Sequence, residues 1–110
     1  MFQQLALAGA EVVVLPAAFT AKTGAAHWHT LLRARAIENG VFIVAAGQTG
    51  VHQGDRETYG HSLIISPFGE VLADAGSEEN VFVSAEINLD EVEKVRAMIP
   101  NLQNLRNLSF

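Results

Sequence analysis

The sequence predicts an α/β fold, and three observations carry that reading. Helical and β-branched segments alternate along the first half, two apolar runs are too continuous for half-exposed strands, and a Pro-Phe-Gly-Glu turn sits between two short strand-like runs. Phe2, Leu5 and Ala8 recur at helical spacing, so residues 2–9 read as the tail of a helix, with Gly9 as its stop. Glu11-Val12-Val13-Val14-Leu15-Pro16 is a β-branched run ended by proline, which predicts a strand buried on both faces. Thr20 to Ala26 reads as a small polar loop. From His27 to Asn39 the spacing of Trp28, Leu31, Leu32, Arg35 and Ala36 places them on one stripe of a helix. Asn39-Gly40 then supplies a left-handed stop, and residues 41–48 follow as a second buried strand.

Residues 49–60, TGVHQGDRETYG, are glycine-rich and polar and read as a long loop of the kind that often carries function. His61–Ser66 is expected as a strand, Pro67-Phe68-Gly69-Glu70 as its turn, and Val71–Ala75 as the returning strand of a hairpin. An acidic turn over 77–80 precedes a further expected strand, Val81–Ile87. Asn88 is placed to cap a last helix, Leu89–Met98, whose first turn carries Asp90 and Glu91 against the positive end of the helix dipole. The tail 101–110 has no clear period.

Composition narrows the function classes. At 110 residues the chain is one domain or a piece of a larger one. With 49% hydrophobic and 17% charged residues it can bury a core, which excludes a disordered polar chain. Seven Lys and Arg against 12 Asp and Glu give a net charge of -5, so no nucleic-acid partner is expected. The absence of cysteine excludes disulfides, thiolate metal sites and a cysteine nucleophile within these residues. Glu11 interrupts the N-terminal apolar run and no Lys or Arg precedes it, so neither a signal peptide nor a membrane span is expected; a cytoplasmic location is.

The candidate chemistry is sparse. His27, His29, His52 and His61 are the four histidines, and a His-x-His pair diverges on a helix, so no metal and no cofactor are expected. Gly60-His61-Ser62 lacks the second glycine of a nucleophile elbow, so Ser62 reads as a loop hydrogen-bonder and not as a nucleophile. Arg35 falls on the apolar stripe with Glu38 one turn along, which predicts a buried ion network between them. Ligands of open α/β sheets sit beyond the carboxyl ends of strands, where Pro16-Ala17-Ala18 leave room and Phe19, Thr20, His27 and Trp28 can supply walls. The competing reading makes Trp28 a core residue.

Several motifs, taken together and in order, resemble the nitrilase (carbon–nitrogen hydrolase) superfamily: Leu5-Ala6-Leu7-Ala8-Gly9-Ala10-Glu11-Val12, Pro16-Ala17-Ala18-Phe19-Thr20, Gly24 with His27-Trp28, Arg33-Ala34-Arg35-Ala36-Ile37-Glu38-Asn39, Ala45-Ala46-Gly47-Gln48, Tyr59-Gly60-His61-Ser62 and Pro67-Phe68-Gly69-Glu70-Val71. The likeness runs from Phe2 to about Pro100 and is strongest toward Nit-type amidases, including omega-amidase-like and deaminated-glutathione-amidase-like members. It implies that residues 1–110 are a partial domain, the C-terminal half of an α-β-β-α sandwich. Such enzymes hydrolyse non-peptide C–N bonds of small amides through a thioester, with a Cys nucleophile, a Glu base, a Lys and a second Glu. The resemblance places all four before Met1, the Cys by only a few residues, so it implies no catalytic residue here and no activity for the chain alone. It carries over Phe19, Thr20, His27 and Trp28 as substrate-binding walls and Arg35, Glu38 and Asn39 as structural bracing. It also implies a homodimer through helices 2–9 and 27–39, and a small-molecule amide bound only with the missing half. The alternative is a non-catalytic dimerisation or binding module derived from the same fold; a shortened reading frame is the third explanation.

Overall fold

The computed structural model describes residues 1–106. Three helices, α1 (Phe2–Leu7), α2 (Ala21–Asn39) and α3 (Asp90–Met98), accompany six strands: β1 (Val12–Ala17), β2 (Phe42–Gly47), β3 (Thr49–His52), β4 (Arg56–Tyr59), β5 (Leu63–Ile65) and β6 (Val71–Asp74). The main sheet has the order β1-β2-β5-β6, with β1 and β2 parallel and the other pairs antiparallel. The alternation of helix and strand therefore gives the mixed α/β architecture the sequence predicts.

The register explains how one face of this sheet becomes the core. Val13, Ile43 and Ile65 are cross-strand partners and point toward the helices, where they pack with Trp28, Leu32 and Ala36 of α2 and Ala6 of α1. The adjacent row, Val14, Val44 and Ile64, necessarily points the other way, because side chains alternate along a strand. Val14 on that row is 71% exposed. The expectation that β1 is buried on both faces is thus corrected. A continuous apolar run signals two covered faces, but here that second face is covered unevenly: Phe42 and Ile64 are buried, whereas Val14 on β1 is open.

Four other boundaries move for identifiable reasons. The helix expected from His27 starts at Ala21, because Thr20 takes the extended conformation of an N-cap and Lys22, Ala25 and Ala26 are good helix formers. The segment expected as a loop over 49–60 contains the β3–β4 hairpin, turned by Gly54 and Asp55 at positive φ; polar side chains hid its strand character. The strand expected at 61–66 shrinks to Leu63–Ile65, since His61 sits at φ +52° and turns the chain. Val81–Ile87 forms no strand: these residues have no ladder partner among the described residues, and Phe82 is 89% exposed. Alternation alone does not make a strand where no neighbouring edge is available.

The helix ends follow local chemistry. Gly40 holds the left-handed C-cap of α2 at φ +59°, and Arg96 of α3 packs its Cγ against that bare α-carbon while donating from Nη2 to the Ala10 carbonyl at 2.8 Å. The last helix starts one residue later than expected, so its N-cap is Leu89 and not Asn88, whose Oδ1 instead accepts from the Asp90 N–H at 3.0 Å just ahead of it. Gly69 takes φ +91° in the expected 67–70 turn, where Ser66 and Glu70 close the hairpin. The expected irregular tail runs on through 101–106, and its last residues, 107–110, lie outside the described ones.

Candidate functional site

Because β1 and β2 are parallel, their carboxyl ends meet: Ala17 pairs with Gly47, and the Gln48 N–H donates to the Ala17 carbonyl at 3.0 Å. Beyond them lies a shallow depression of about 370 Å³ lined by Pro16, Ala17, Ala18, Ala46, Gly47 and Gln48. This is the place a ligand takes on such a sheet. Its small side chains leave the backbone reachable. Gly47 is fixed there because a Cβ would strike the Gly60 carbonyl, and its N–H donates to Ser62 Oγ at 3.1 Å. Ser62 is therefore an acceptor that ties down a strand end, as the loop-bonding reading has it.

None of the four residues expected as pocket walls lines this depression. Phe19 packs its ring on Trp28 with centroids 5.1 Å apart. Trp28 is 2% exposed, lies in the core and donates from its indole nitrogen to the His61 carbonyl at 2.7 Å, so the core reading describes it. Thr20 caps α2 and shares a 2.6 Å hydroxyl contact with Thr23. His27 is exposed on the first half of α2. The depression's own residues carried a sequence signal in their small size and their position after β-branched runs.

The expected buried ion network is also corrected. Arg35 Nη1 and Glu38 Oε2 do pair at 2.9 Å, but their side chains are 39% and 57% exposed, so they form a surface pair. The stripe that is buried runs Trp28, Leu32, Ala36 and Asn39, which leaves Arg35 on its flank. Asn39 is the buried polar member, and its Nδ2 donates to the Arg35 carbonyl at 2.8 Å.

One constellation was not anticipated. His29 from α2, His61 from the β4–β5 corner and Asp74 at the end of β6 converge, although 45 and 13 residues separate the two histidines from the aspartate. His29 Nε2 lies 2.8 Å from Asp74 Oδ2 and His61 Nδ1 lies 2.9 Å from Asp74 Oδ1. The Gly76 N–H also donates to Asp74 Oδ1 at 2.8 Å. Burial alone would raise the Asp74 pKa, but the bonds from His29, Gly76 and His61, with the His61 charge, outweigh it and hold the carboxyl below its ordinary value. Tyr59 stacks on His61 at 4.2 Å and meets His29 edge-on at 6.0 Å, so both rings are held in place. The reading of the sequence paired His29 with its neighbour His27; only the β4–β5 corner brings it to His61.

Comparison with known proteins places the chain. Residues 2–97 match the family described as Carbon-nitrogen hydrolase. The chain is 48% identical over 104 residues to a deaminated glutathione amidase of Synechocystis, covering 94% of this chain and 38% of that protein. Its structure superposes on the crystal structure of the Caenorhabditis elegans NitFhit protein with a TM-score of 0.85 and 44% identity, over 96% of this chain and 25% of that one. It also resembles an amidase mutant from Nesterenkonia, described as carrying the acetamide moiety of fluoroacetamide at its active-site cysteine. That likeness has a TM-score of 0.63 and 32% identity, over 71% of this chain and 29% of that one. The chain thus has a nitrilase-type fold and is a partial domain, spanning 38% of the first relative. The alignments fix that share and do not support the expectation that it is the C-terminal half.

Proposed function

The chain belongs to the carbon–nitrogen hydrolase family, and on that premise we propose that it is one part of a cysteine-dependent amidase acting on small non-peptide amides, of the deaminated-glutathione-amidase or omega-amidase type. The observation that carries the reading is the 48% identity to a deaminated glutathione amidase over nearly the whole chain. The 110 residues hold no cysteine, so the nucleophile belongs to the rest of the domain. There a thiolate attacks the amide carbon, the C–N bond breaks as the nitrogen takes a proton and leaves as ammonia, and water then cleaves the thioester. In this reading the present chain contributes the floor of the pocket at the ends of β1 and β2, with Phe19, Thr20, His27 and Trp28 behind it.

The same proposal has copies associate through α1 and the segment 27–39 of α2, in the cytoplasm. No helix among the described residues is long and apolar enough to cross a membrane.

The test is ammonia release from an ω-amide of an α-keto acid. The 110-residue chain is expected to release none, whereas the same chain joined to the remainder of its reading frame releases ammonia and loses that activity when its added cysteine becomes alanine. Release by the isolated chain that vanishes in Ser62→Ala would overturn the reading, as would a complete reading frame lacking any cysteine. Light scattering of the joined protein reads the association, and a monodisperse monomer contradicts it.

A further inference from the structure

We propose that His29, His61 and Asp74 form a binding site for a divalent transition-metal ion of the zinc class, which clamps α2, the β4–β5 corner and β6 together. The proposal is independent of the amidase reading, because it concerns no group placed in that chemistry.

The donor set is the first argument. Two imidazole nitrogens and one carboxylate, with each ligand atom within 4.8 Å of the others, match the nitrogen-and-oxygen preference of zinc and not the all-oxygen shells of calcium or magnesium. An ion with bonds of about 2.1 Å and tetrahedral angles holds its donors about 3.4 Å apart, so the two histidine–aspartate contacts need to open by only about half an ångström. The side chains of His29, His61 and Asp74 are 32%, 23% and 33% exposed, so an ion and a fourth, water ligand can reach them.

Preorganisation is the second. His61 is a non-glycine residue at φ +52°, a conformation that costs energy and persists where its surroundings impose it. Here three contacts do so: its N–H donates to the Gly76 carbonyl at 2.8 Å, its carbonyl accepts from Trp28, and its ring lies on Tyr59. The result aims Nδ1 at Asp74. The Gly76 N–H on Asp74 Oδ1 is the kind of outer hydrogen bond that orients a ligating carboxylate. The ion takes the ring nitrogens that face Asp74 and displaces any proton shared there.

Equilibrium dialysis of the chain against zinc, read by elemental analysis, tests this. About one zinc per chain is expected, with Asp74→Asn and His29→Gln weakening retention by about tenfold or more and His52→Gln leaving it unchanged. A tenfold excess of magnesium should not displace it. No retained zinc, or retention equal in all three variants, overturns the proposal. Should Asp74→Asn fail to fold, cobalt on the unmodified chain gives the independent reading: an intense tetrahedral visible band is expected, and the weak octahedral spectrum overturns the site.

Discussion

Gly24 of α2 and Tyr59 of β4 touch so closely that a methyl group at position 24 would overlap the Tyr59 Cβ and Cγ. Helical glycine is ordinarily a weakness that alanine repairs by about 1 kcal/mol. Here the missing Cβ is what lets the β3–β4 hairpin dock on α2, and the contact is to the root of the tyrosine, which cannot swing aside. Gly24→Ala is therefore expected to destabilise the chain by about 1–3 kcal/mol, read as a lower urea midpoint. A raised midpoint would show that the hairpin yields.

Trp28→Phe keeps an aromatic ring in the core but removes the donor to the His61 carbonyl. A loss of about 1–3 kcal/mol is expected from the carbonyl left without its partner. The 2.7 Å bond also helps hold His61 in its left-handed conformation. The ring-proton chemical shifts of His61, which stacks on Tyr59, should change with it; unchanged shifts would show that the corner holds itself.

Arg35 and Glu38 give the sharpest contrast between two readings. A buried pair broken on one side costs about 3–5 kcal/mol, whereas an exposed one contributes about 0–1 kcal/mol. Their exposure predicts the second outcome. In a double-alanine cycle followed by urea unfolding, the coupling should stay below about 0.5 kcal/mol and fall further in high salt.

The sheet face open at Val14 has its own consequence. Val14 and Phe82, 71% and 89% exposed, line one open apolar cavity wall together with Val44, Ile64 and Val83. Apolar surface of this kind promotes association. Val14→Asp combined with Phe82→Asp should shift the chain toward smaller species in sedimentation velocity at equal concentration, while an unchanged distribution would place the sticky surface elsewhere.

The elements that local chemistry controls were legible in advance. The α2 stop at Asn39-Gly40 and the 67–70 turn with Gly69 depend on residues a few positions apart and stand where the spacing puts them, and Asn88 bonds the start of α3 one residue ahead of its Leu89 N-cap. The α/β class followed from alternating periods, and the motifs carried the family likeness. What failed depended on partners. The residues 81–87 have a strand's pattern and no edge to join, β1 has a doubly buried strand's composition and one open face, and Arg35 sits on a stripe that the packing rotates past it.

The class of fold, the family and the absence of a cysteine nucleophile from these 110 residues are readable along the chain, because composition, period and motif are local properties. Folding alone settles that His29, His61 and Asp74 meet, that Gly24 must be bare, and that β1 is open at Val14. Each of those depends on which distant segments the sheet register and the left-handed turn at His61 bring into contact, and no short window of sequence encodes that.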